Sequence, residues 1–190
     1  LVRSLKGLEI TKVVAGWGHS AVVTKDGAVY ICGRHVKGQL GLGDPQNFPI
    51  NERGHEFCPE FRKIESLSGK QVASISCGGE HTAILCTNGD IYTMGSGDSG
   101  QLGHGRDFND CYHPKLLEFT RTNNMKGLDV ACGNASTILL TGTSRPKSLF
   151  HTCIDLINSS KRLKHEVYQN RDSIGENILR KLEERDPTLT

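Results

Sequence analysis

The sequence predicts an all-β fold built from repeated sheets, and two observations support this fold class. Residues 16–43 and 78–105 match at their glycine, histidine and tyrosine positions, and both end in Gly-Gln-Leu-Gly-x-Gly. A shorter segment, 132–140, repeats only the beginning of the pattern. Because self-similarity at a fixed period is typical of repeat architectures, each copy is expected to form one structural unit.

Each of the two good copies contains a pair of predicted strands. Residues 20–24 and 82–86 are short, apolar and rich in β-branched side chains, as expected of buried strands. A second strand is predicted at 28–32 in the first copy and at 90–94 in the second. With their flanking residues, these strands predict one four-stranded blade, or most of one, in each copy.

The predicted strands are joined by dipeptides that are typical of tight turns. Asp26-Gly27 and Asn88-Gly89 predict two-residue type I′ hairpins, in which both central residues have positive φ. Glycines that recur at matched places indicate sharp bends or a close approach of backbone segments. The predicted structural glycines of the repeat are Gly16, Gly27, Gly33, Gly38, Gly41, Gly78, Gly89, Gly95, Gly100 and Gly103.

This order of Gly-x-x-His-[Ser/Thr], strand, Asp/Asn-Gly, strand, Gly and Gly-Gln-Leu-Gly-x-Gly resembles the repeat of the regulator of chromosome condensation (RCC1) family. The resemblance covers residues 8–142 and implies a seven-bladed β-propeller, of which about two and a half repeats are present. The third copy departs from the pattern: it has Ser136 in place of the histidine and is expected to stop at Gly142. The expected repeat cores within a propeller domain of residues 1–142 are 13–43, 75–105 and 130–142.

So few repeats cannot close a ring, and propellers protect their sheet edges by closing. The chain is therefore expected to be the C-terminal piece of a longer protein that supplies the remaining blades. The alternative is a short protein that completes its ring by oligomerising with another chain.

The composition changes after residue 142, where glycine becomes rare and charged, helix-forming residues become common. Residues 143–146 are predicted to be a linker, and 147–186 an α-helical extension made of one long helix or two. An apolar stripe along the extension could pack on the propeller or on a partner. Its predicted interface residues are Leu163, Val167, Ile174, Ile178 and Leu182.

Composition and charge argue against several classes of function. The net charge of +2 provides no strong field for nucleic acid, and no apolar segment is long enough to span a membrane. The seven cysteines are scattered without a Cys-x-x-Cys pair, so no metal site and no cofactor are predicted. The expected location is the cytoplasm, with the nucleus as the alternative.

Two short motifs imitate enzyme sites without their usual context. Residues 95–100 fit the dinucleotide-binding pattern G-x-G-x-x-G, but Gln101-Leu102-Gly103 follows instead of a helix. Residues 97–100 imitate the nucleophile segment of trypsin-like proteases without a base or acid expected beside it. No catalytic residue is predicted, and any activity would be nucleotide exchange and not covalent chemistry.

The candidate site residues lie near the start of each repeat. His19 and His81 are interpreted mainly as structural residues that hydrogen-bond to backbone between strands. The family resemblance implies a second role, because its Ran exchange factor contacts a GTPase with this segment, including an acidic residue that only Glu80 matches here. Trp17 could be a binding anchor or filler between blades. The other predicted partner-binding candidates are Arg34, His35, Asp98 and His104.

These observations predict a protein–protein interaction module in GTPase, trafficking, ubiquitin or kinase signalling, as the resemblance implies. The alternative is a guanine-nucleotide exchange factor for a Ran-, Rab- or Arf-type small GTPase. Expected partners are other proteins, with a small GTPase as a candidate, and the remaining propeller blades.

Overall fold

A computed structural model describes residues 2–143 and 153–155, which form three antiparallel sheets. The strands of the first sheet, blade 1, follow in order as β1 (Ile10–Ala15), β2 (His19–Thr24), β3 (Val29–Arg34) and β4 (Phe57–Lys63). Blade 2 repeats this order with β5 (Val72–Cys77), β6 (His81–Cys86), β7 (Ile91–Gly95) and β8 (Cys111–Leu116). Blade 3 contains β9 (Met125–Cys132), β10 (Thr137–Thr143) and β11 (Cys153–Asp155). The predicted four-stranded blade is thus confirmed in both good copies.

The helices of the described residues are short, and they lie before the first strand or in the connections between strands. The 3-10 helices are Arg3–Leu5, Pro45–Asn47 and Glu65–Leu67, and the α-helix α1 spans Glu118–Thr122. No helix in the described part of the chain is both long and apolar enough to cross a membrane.

Both faces of strand β6 in blade 2 are buried against the neighbouring blades. In β6, Ile84 belongs to the apolar core between blades 1 and 2. The flanking residues Ala83 and Leu85 belong to the core between blades 2 and 3. Because side chains alternate between the faces of a strand, a strand covered on both faces is buried along its whole length, as β6 is.

The turn between the two central strands differs from the predicted type I′ hairpin. Gly27 has φ of +77°, but Asp26 does not have positive φ, so only one turn residue is left-handed. The Thr24 N–H donates to the Ala28 carbonyl and the Gly27 N–H donates to the Thr24 carbonyl, both at 2.9 Å. These bonds define a three-residue loop with glycine at its last position, and Gly89 ends the same loop in blade 2.

Most of the predicted helical extension, including its five interface residues, lies outside the described residues. The exception is β11, whose Cys153–Asp155 pair antiparallel with Leu140 to Ile138 of β10. A helix was predicted at these three residues, and that part of the prediction is wrong because their backbone groups join the edge of a sheet. The third repeat likewise continues beyond Gly142, where it was expected to stop.

Substitutions of Gly27 and Gly54 should differ in cost, although both glycines have φ of +77°. A Cβ atom on Gly27 would lie 3.0 Å from the Gln71 Cα and from the Val72 nitrogen, whereas one on Gly54 has no neighbour within 4 Å. We expect Gly54→Ala to lose about 1 kcal/mol of unfolding free energy from backbone strain alone. Gly27→Ala should lose roughly 1–3 kcal/mol more, and equal urea denaturation midpoints for the two variants would contradict this account.

Candidate partner-binding face

The loops that join the strands at one end of the three sheets form a common surface, here called the loop face. It contains the connections between the first and second strands of the blades, at residues 16–18, 78–80 and 133–136. It also contains the long connections that follow β3 and β7, at residues 35–56 and 96–110. Every partner-binding candidate on the repeats lies in or beside these segments.

His19 is buried and links blade 1 to blade 2. Its Nε2 lies 2.8 Å from the Thr82 hydroxyl, which donates its proton to the Gln39 carbonyl at 2.8 Å. Because a hydroxyl has only one proton, the His19 Nε2–H must be the donor to the Thr82 oxygen. The Nε2 atom of His19 therefore carries a proton. We call this arrangement of histidine, hydroxyl and glutamine carbonyl the histidine latch.

The same latch joins blade 2 to blade 3. The His81 Nε2 lies 3.0 Å from the Thr137 hydroxyl, which donates to the Gln101 carbonyl at 2.7 Å. The structural interpretation of both histidines agrees with this geometry, and the hydrogen-bond partner of each Nε2 atom is a hydroxyl of the next blade. Burial of both rings also keeps them from contact with a partner at the surface.

Ring packing explains the spacing of the Gly-x-x-His segment. A Cβ atom on Gly78 would collide with the Cε1 atom of His81, so only glycine leaves room for the ring. In blade 1 the equivalent contact, from Gly16 to the His19 Cε1, would be 2.9 Å. The repeated glycine is therefore required by side-chain packing and not only by turn geometry.

Burial lowers the pKa of both latch histidines to about 4, since the interior disfavours the charged ring. The pKa of His19 is lowered further by repulsion from His81. Both rings are thus neutral at pH 7, so the proton on Nε2 is the only one that each ring carries on nitrogen.

Two other candidate histidines also serve the fold. His35 is fully buried, and its Nε2–H donates to the Gly43 carbonyl at 2.9 Å while its Nδ1 accepts from the Leu40 N–H at 3.4 Å. His104 is half-buried, with its Nε2 3.0 Å from the Thr93 hydroxyl. The structure therefore places His35 away from a partner and holds His104 against its own blade.

Trp17 has the opposite environment, since its side chain is 74% exposed on the loop face. The Arg34 guanidinium carbon lies 5.0 Å above the centre of the indole ring. The Nη1 of Arg34 is 3.1 Å from the Glu80 carboxylate on blade 2. The structure thus brings three predicted site residues together, and the exposed ring is stacked on an arginine that is anchored across the blade boundary.

A second ion pair crosses the same boundary and includes residues that the sequence did not single out. Lys37 lies 3.0 Å from the exposed candidate Asp98 and 3.3 Å from Asp110, both on blade 2. The hydrogen bond that Lys37 donates to the Asp98 carboxylate contributes most to raising the pKa of Lys37. The repeat pattern does not mark Lys37, because the matched residue of the second copy is Ser99.

An open hollow of about 320 Å³ lies beside Trp17. Desolvation raises the pKa of the Cys77 thiol at its base to about 12, so this sulfur is a poor nucleophile. The hollow therefore presents an aromatic ring, glycine backbone and an amide, which suit recognition of another molecule better than catalysis. Its lining residues are Gly16, Trp17, Cys77, Gly78, Gly79, Cys132, Gly133 and Asn134.

Comparison with protein families agrees with this repeat geometry. The sequence model described as the regulator of chromosome condensation (RCC1) repeat matches residues 26–85 and 88–140. The chain belongs to the RCC1 repeat family. A second RCC1 repeat model matches residues 10–39 and 72–101. These ranges include the two latch histidines, His19 and His81. The resemblance predicted from the sequence is therefore confirmed.

Relatives and solved structures place these blades within larger proteins. The chain is 37% identical to the probable E3 ubiquitin-protein ligase HERC3 of Homo sapiens over 145 residues, which are 75% of this chain and 12% of the relative. It is 31% identical to the secretion-regulating guanine nucleotide exchange factor of Bos taurus, covering 81% of this chain and 30% of that protein. The crystal structure of Prp20p from Saccharomyces cerevisiae superposes with a TM-score of 0.63 at 21% identity, covering 89% of this chain and 36% of that one. The chain thus spans a minor part of each protein, and the fold is that of an RCC1 β-propeller.

Acid should weaken the fold through the latch histidines. An unfolded histidine has a pKa near 6.5, whereas His19 and His81 have folded values of about 4. As the pH falls from 7 to 4, these histidines become protonated in the unfolded chain but stay largely neutral in the folded chain. The free energy of unfolding therefore decreases by roughly 3 kcal/mol per histidine. Urea denaturation at several pH values measures this loss.

His19→Gln is the matched control for the acid effect, because the amide can donate a hydrogen bond but does not titrate. The variant should lose less stability than the wild type between pH 7 and pH 4. Identical pH dependence in the two proteins would show that His19 is not protonated on unfolding.

Removing the Arg34 side chain should free the Trp17 ring. Trp17 is the only tryptophan of the chain, so its fluorescence reports this site alone. We expect Arg34→Gln to lower the fluorescence anisotropy of Trp17, because the ring loses its stacking partner. Arg62→Gln is the control, since it removes a similar contact 5.3 Å above the Phe48 ring. Unchanged anisotropy in Arg34→Gln would contradict the proposed anchoring.

Proposed function

We propose that this chain is a protein–protein interaction module whose partner binds the loop face around Trp17. The observation that carries the proposal is the exposure of a large aromatic ring that is nevertheless held in place. Tryptophan and arginine are enriched among the residues that contribute most to binding at protein interfaces. Trp17 and Arg34 stand together here, and the open hollow beside them could receive a partner side chain.

Pre-organisation of Trp17 supports the same proposal. Binding orders side chains at an interface, and each ordered side chain costs roughly 0.5–1.5 kcal/mol. Trp17 avoids part of this cost because Arg34 already stacks on it and is itself paired with Glu80. Glu80 is thus assigned mainly to holding Arg34, although its side chain remains one-third exposed and can contact a partner as well.

The names of related proteins suggest which proteins could bind. One relative is a secretion-regulating guanine nucleotide exchange factor. The crystallographic study of Prp20p concerns its binding to Gsp1p and to histones. We therefore propose small GTPases and histones as the first candidates, and the predicted tail interface at 163–182 as the competing binding element.

Guanine-nucleotide exchange is the second candidate function. Glu80 favours it, because the family resemblance implies an acidic contact residue at this place. Gly18 and Ala135 occupy the same place in the other copies and cannot supply such a contact. Release of a fluorescent GDP analogue from a panel of purified small GTPases tests exchange directly, and Glu80→Gln should slow any release that is found.

Trp17→Ala should weaken binding to any protein of the panel that the chain binds. Loss of an interface hot spot costs about 2 kcal/mol, which corresponds to a roughly thirtyfold higher Kd by biolayer interferometry. Phe119→Ala is the matched control, since Phe119 is an exposed aromatic residue on α1 at the opposite end of the blades.

Two outcomes would contradict a partner site at Trp17. If Phe119→Ala weakens binding as much as Trp17→Ala, the effect is not specific to the loop face. If Trp17→Ala binds normally and deletion of residues 146–190 abolishes binding, the C-terminal extension is the interaction element.

A further inference from the structure

The hollow beside Trp17 is built by three consecutive blades at one position of the repeat. Trp17, Gly79 and Asn134 each follow the first glycine of the Gly-x-x-His segment or of its counterpart in blade 3, and all three line the hollow. Gly79, on the middle blade, has no side chain to fill the space that Trp17 and Asn134 flank. The volume of about 320 Å³ is that of roughly ten water molecules, which suits one long side chain of a partner protein.

The backbone that lines the hollow has few hydrogen-bond donors to offer a ligand. Five lining residues already donate their N–H groups to backbone carbonyls at 2.8–3.2 Å, namely Gly16, Trp17, Gly78, Gly79 and Gly133. The carbonyl oxygens of Gly16, Gly79 and Gly133, by contrast, accept no hydrogen bond from the described residues. A ligand that is complementary to this lining is therefore one that donates hydrogen bonds.

One of these carbonyls is free because the two blade boundaries differ. At the first boundary, the Trp17 N–H donates to the Gly78 carbonyl at 3.2 Å. At the second boundary, the matched Gly79 N–H donates at 3.0 Å to the Asn134 carbonyl, one residue further along the repeat. The Gly133 oxygen is the counterpart of the Gly78 oxygen, and it is thus left without a donor.

Charge also favours a cationic ligand. The described residues that line the hollow carry no charge. Arg34 is not among them, so it stacks on Trp17 from outside the hollow, and its own charge is paired with Glu80. This arrangement leaves the part of the indole that borders the hollow open to a second cation.

The loop face as a whole carries an excess of negative charge. Its five segments contain three cationic side chains, Lys37, Arg53 and Arg106, and seven carboxylates, those of Asp44, Glu52, Glu56, Glu80, Asp98, Asp107 and Asp110. Glu80 and Asp107 are paired with cations of β3 and β8. An excess of two carboxylates remains after these pairs are counted, so the surface around the hollow attracts positively charged groups.

We propose that the hollow binds an arginine side chain of the partner protein. The guanidinium would stack on the Trp17 indole and donate its N–H groups to the free glycine carbonyls, that of Gly133 among them. Arginine fits this lining better than lysine, because its planar guanidinium carries five donors in a fixed geometry and stacks on aromatic rings. This inference rests on the proposed function, since it names the chemical group that the loop face around Trp17 recognises.

Peptide titrations test the proposal without a known partner. The probes are four tripeptides Gly-X-Gly with blocked ends, in which X is arginine, lysine, citrulline or norleucine. Chemical shifts of the nitrogen-15-labelled full chain report both the position of binding and its Kd. With the arginine peptide we expect saturable shifts at the Trp17 indole N–H and at the Gly79 and Asn134 amides.

The four probes separate charge from shape. Citrulline has nearly the shape of arginine without its positive charge, so its Kd should be about fivefold higher or more. The lysine peptide keeps the charge but not the planar fork, and its Kd should lie between these two. The norleucine peptide should cause no saturable shift, because it has neither a charge nor a donor on its side chain.

Substitution of Asn134 places the site on the protein. Asn134→Lys adds a cation to the lining and should raise the Kd of the arginine peptide roughly threefold or more, because like charges repel. Gln46→Lys is the matched control, since Gln46 is exposed on the loop face but does not line the hollow. It should change the Kd by less than about twofold in about 0.15 M salt, which screens distant charges. Asn134→Gln keeps an uncharged amide and should retain binding.

Several results would overturn the proposal. Absence of arginine binding, or shifts confined to other parts of the chain, would show that the hollow is not an arginine site. Equal Kd values for arginine and norleucine would identify an apolar site, and a lysine peptide that binds as tightly as arginine would contradict recognition of the planar fork. Equal effects of Gln46→Lys and Asn134→Lys would assign arginine binding to the overall charge of the loop face.

Failure of this inference can be distinguished from failure of the proposed function. If the arginine peptide does not bind while Trp17→Ala still weakens binding of a partner protein, the loop face is the partner site but the hollow does not take arginine. If the arginine peptide binds in the hollow while Trp17→Ala leaves partner binding unchanged, the proposed function is wrong although the hollow has the predicted chemistry.

Discussion

The contact between one blade and the next is the interaction on which the rest of this structure depends. Each blade is a sheet whose central strand is apolar on both faces, so it is stable only when neighbours cover those faces. The histidine latch adds hydrogen bonds between the blades to this apolar packing. It joins a ring and a carbonyl of one blade to a hydroxyl of the next.

The latch also couples features of the repeat that look independent in the sequence. Gly78 must be glycine because the His81 ring lies against it. The Gln101 carbonyl accepts the hydroxyl proton, while the Gln101 side chain accepts the Ser99 N–H at 2.8 Å and closes its own loop. Glycine, histidine, hydroxyl and glutamine are therefore parts of one hydrogen-bonded unit, and a change at one of them leaves buried polar groups of the others unpaired.

The two blade boundaries differ at the loop face, and this difference marks the candidate site. Ion pairs of Arg34 and Lys37 cross from blade 1 to blade 2. At the next boundary the residue equivalent to Arg34 is Ser96 and the residue equivalent to Glu80 is Ala135, so the first pair has no counterpart there. Exposed ion pairs contribute little stability on their own. The Arg34–Glu80 pair instead has a positional role, because Arg34 stacks on Trp17 beside a hollow that is lined by the repeated glycines.

The sequence by itself determined the blades, because their signals are local. Apolar strand segments, glycine-ended turns and the repeated Gly-x-x-His segment specify each blade without reference to distant residues. The turn type was predicted wrongly because Asp-Gly and Asn-Gly fit two- and three-residue loops alike, and the loop length depends on which strand residues pair. The helix predicted at Cys153–Asp155 was wrong for a similar reason. These residues form a strand because they pair with β10, and a local sequence pattern does not show that pairing.

Only the tertiary structure decided which candidate residues are available to a partner. His19, His35 and His81 turn inward while Trp17 turns outward, although all four stand near matched glycines. Lys37 and Asp110 meet only because two blades pack side by side, and no spacing in the sequence connects them. Exposure and pairing across blades are properties of neighbours that are distant along the chain. They follow from the packing of whole sheets. A repeat pattern predicts that the blades pack against one another, but it does not predict which side chains meet.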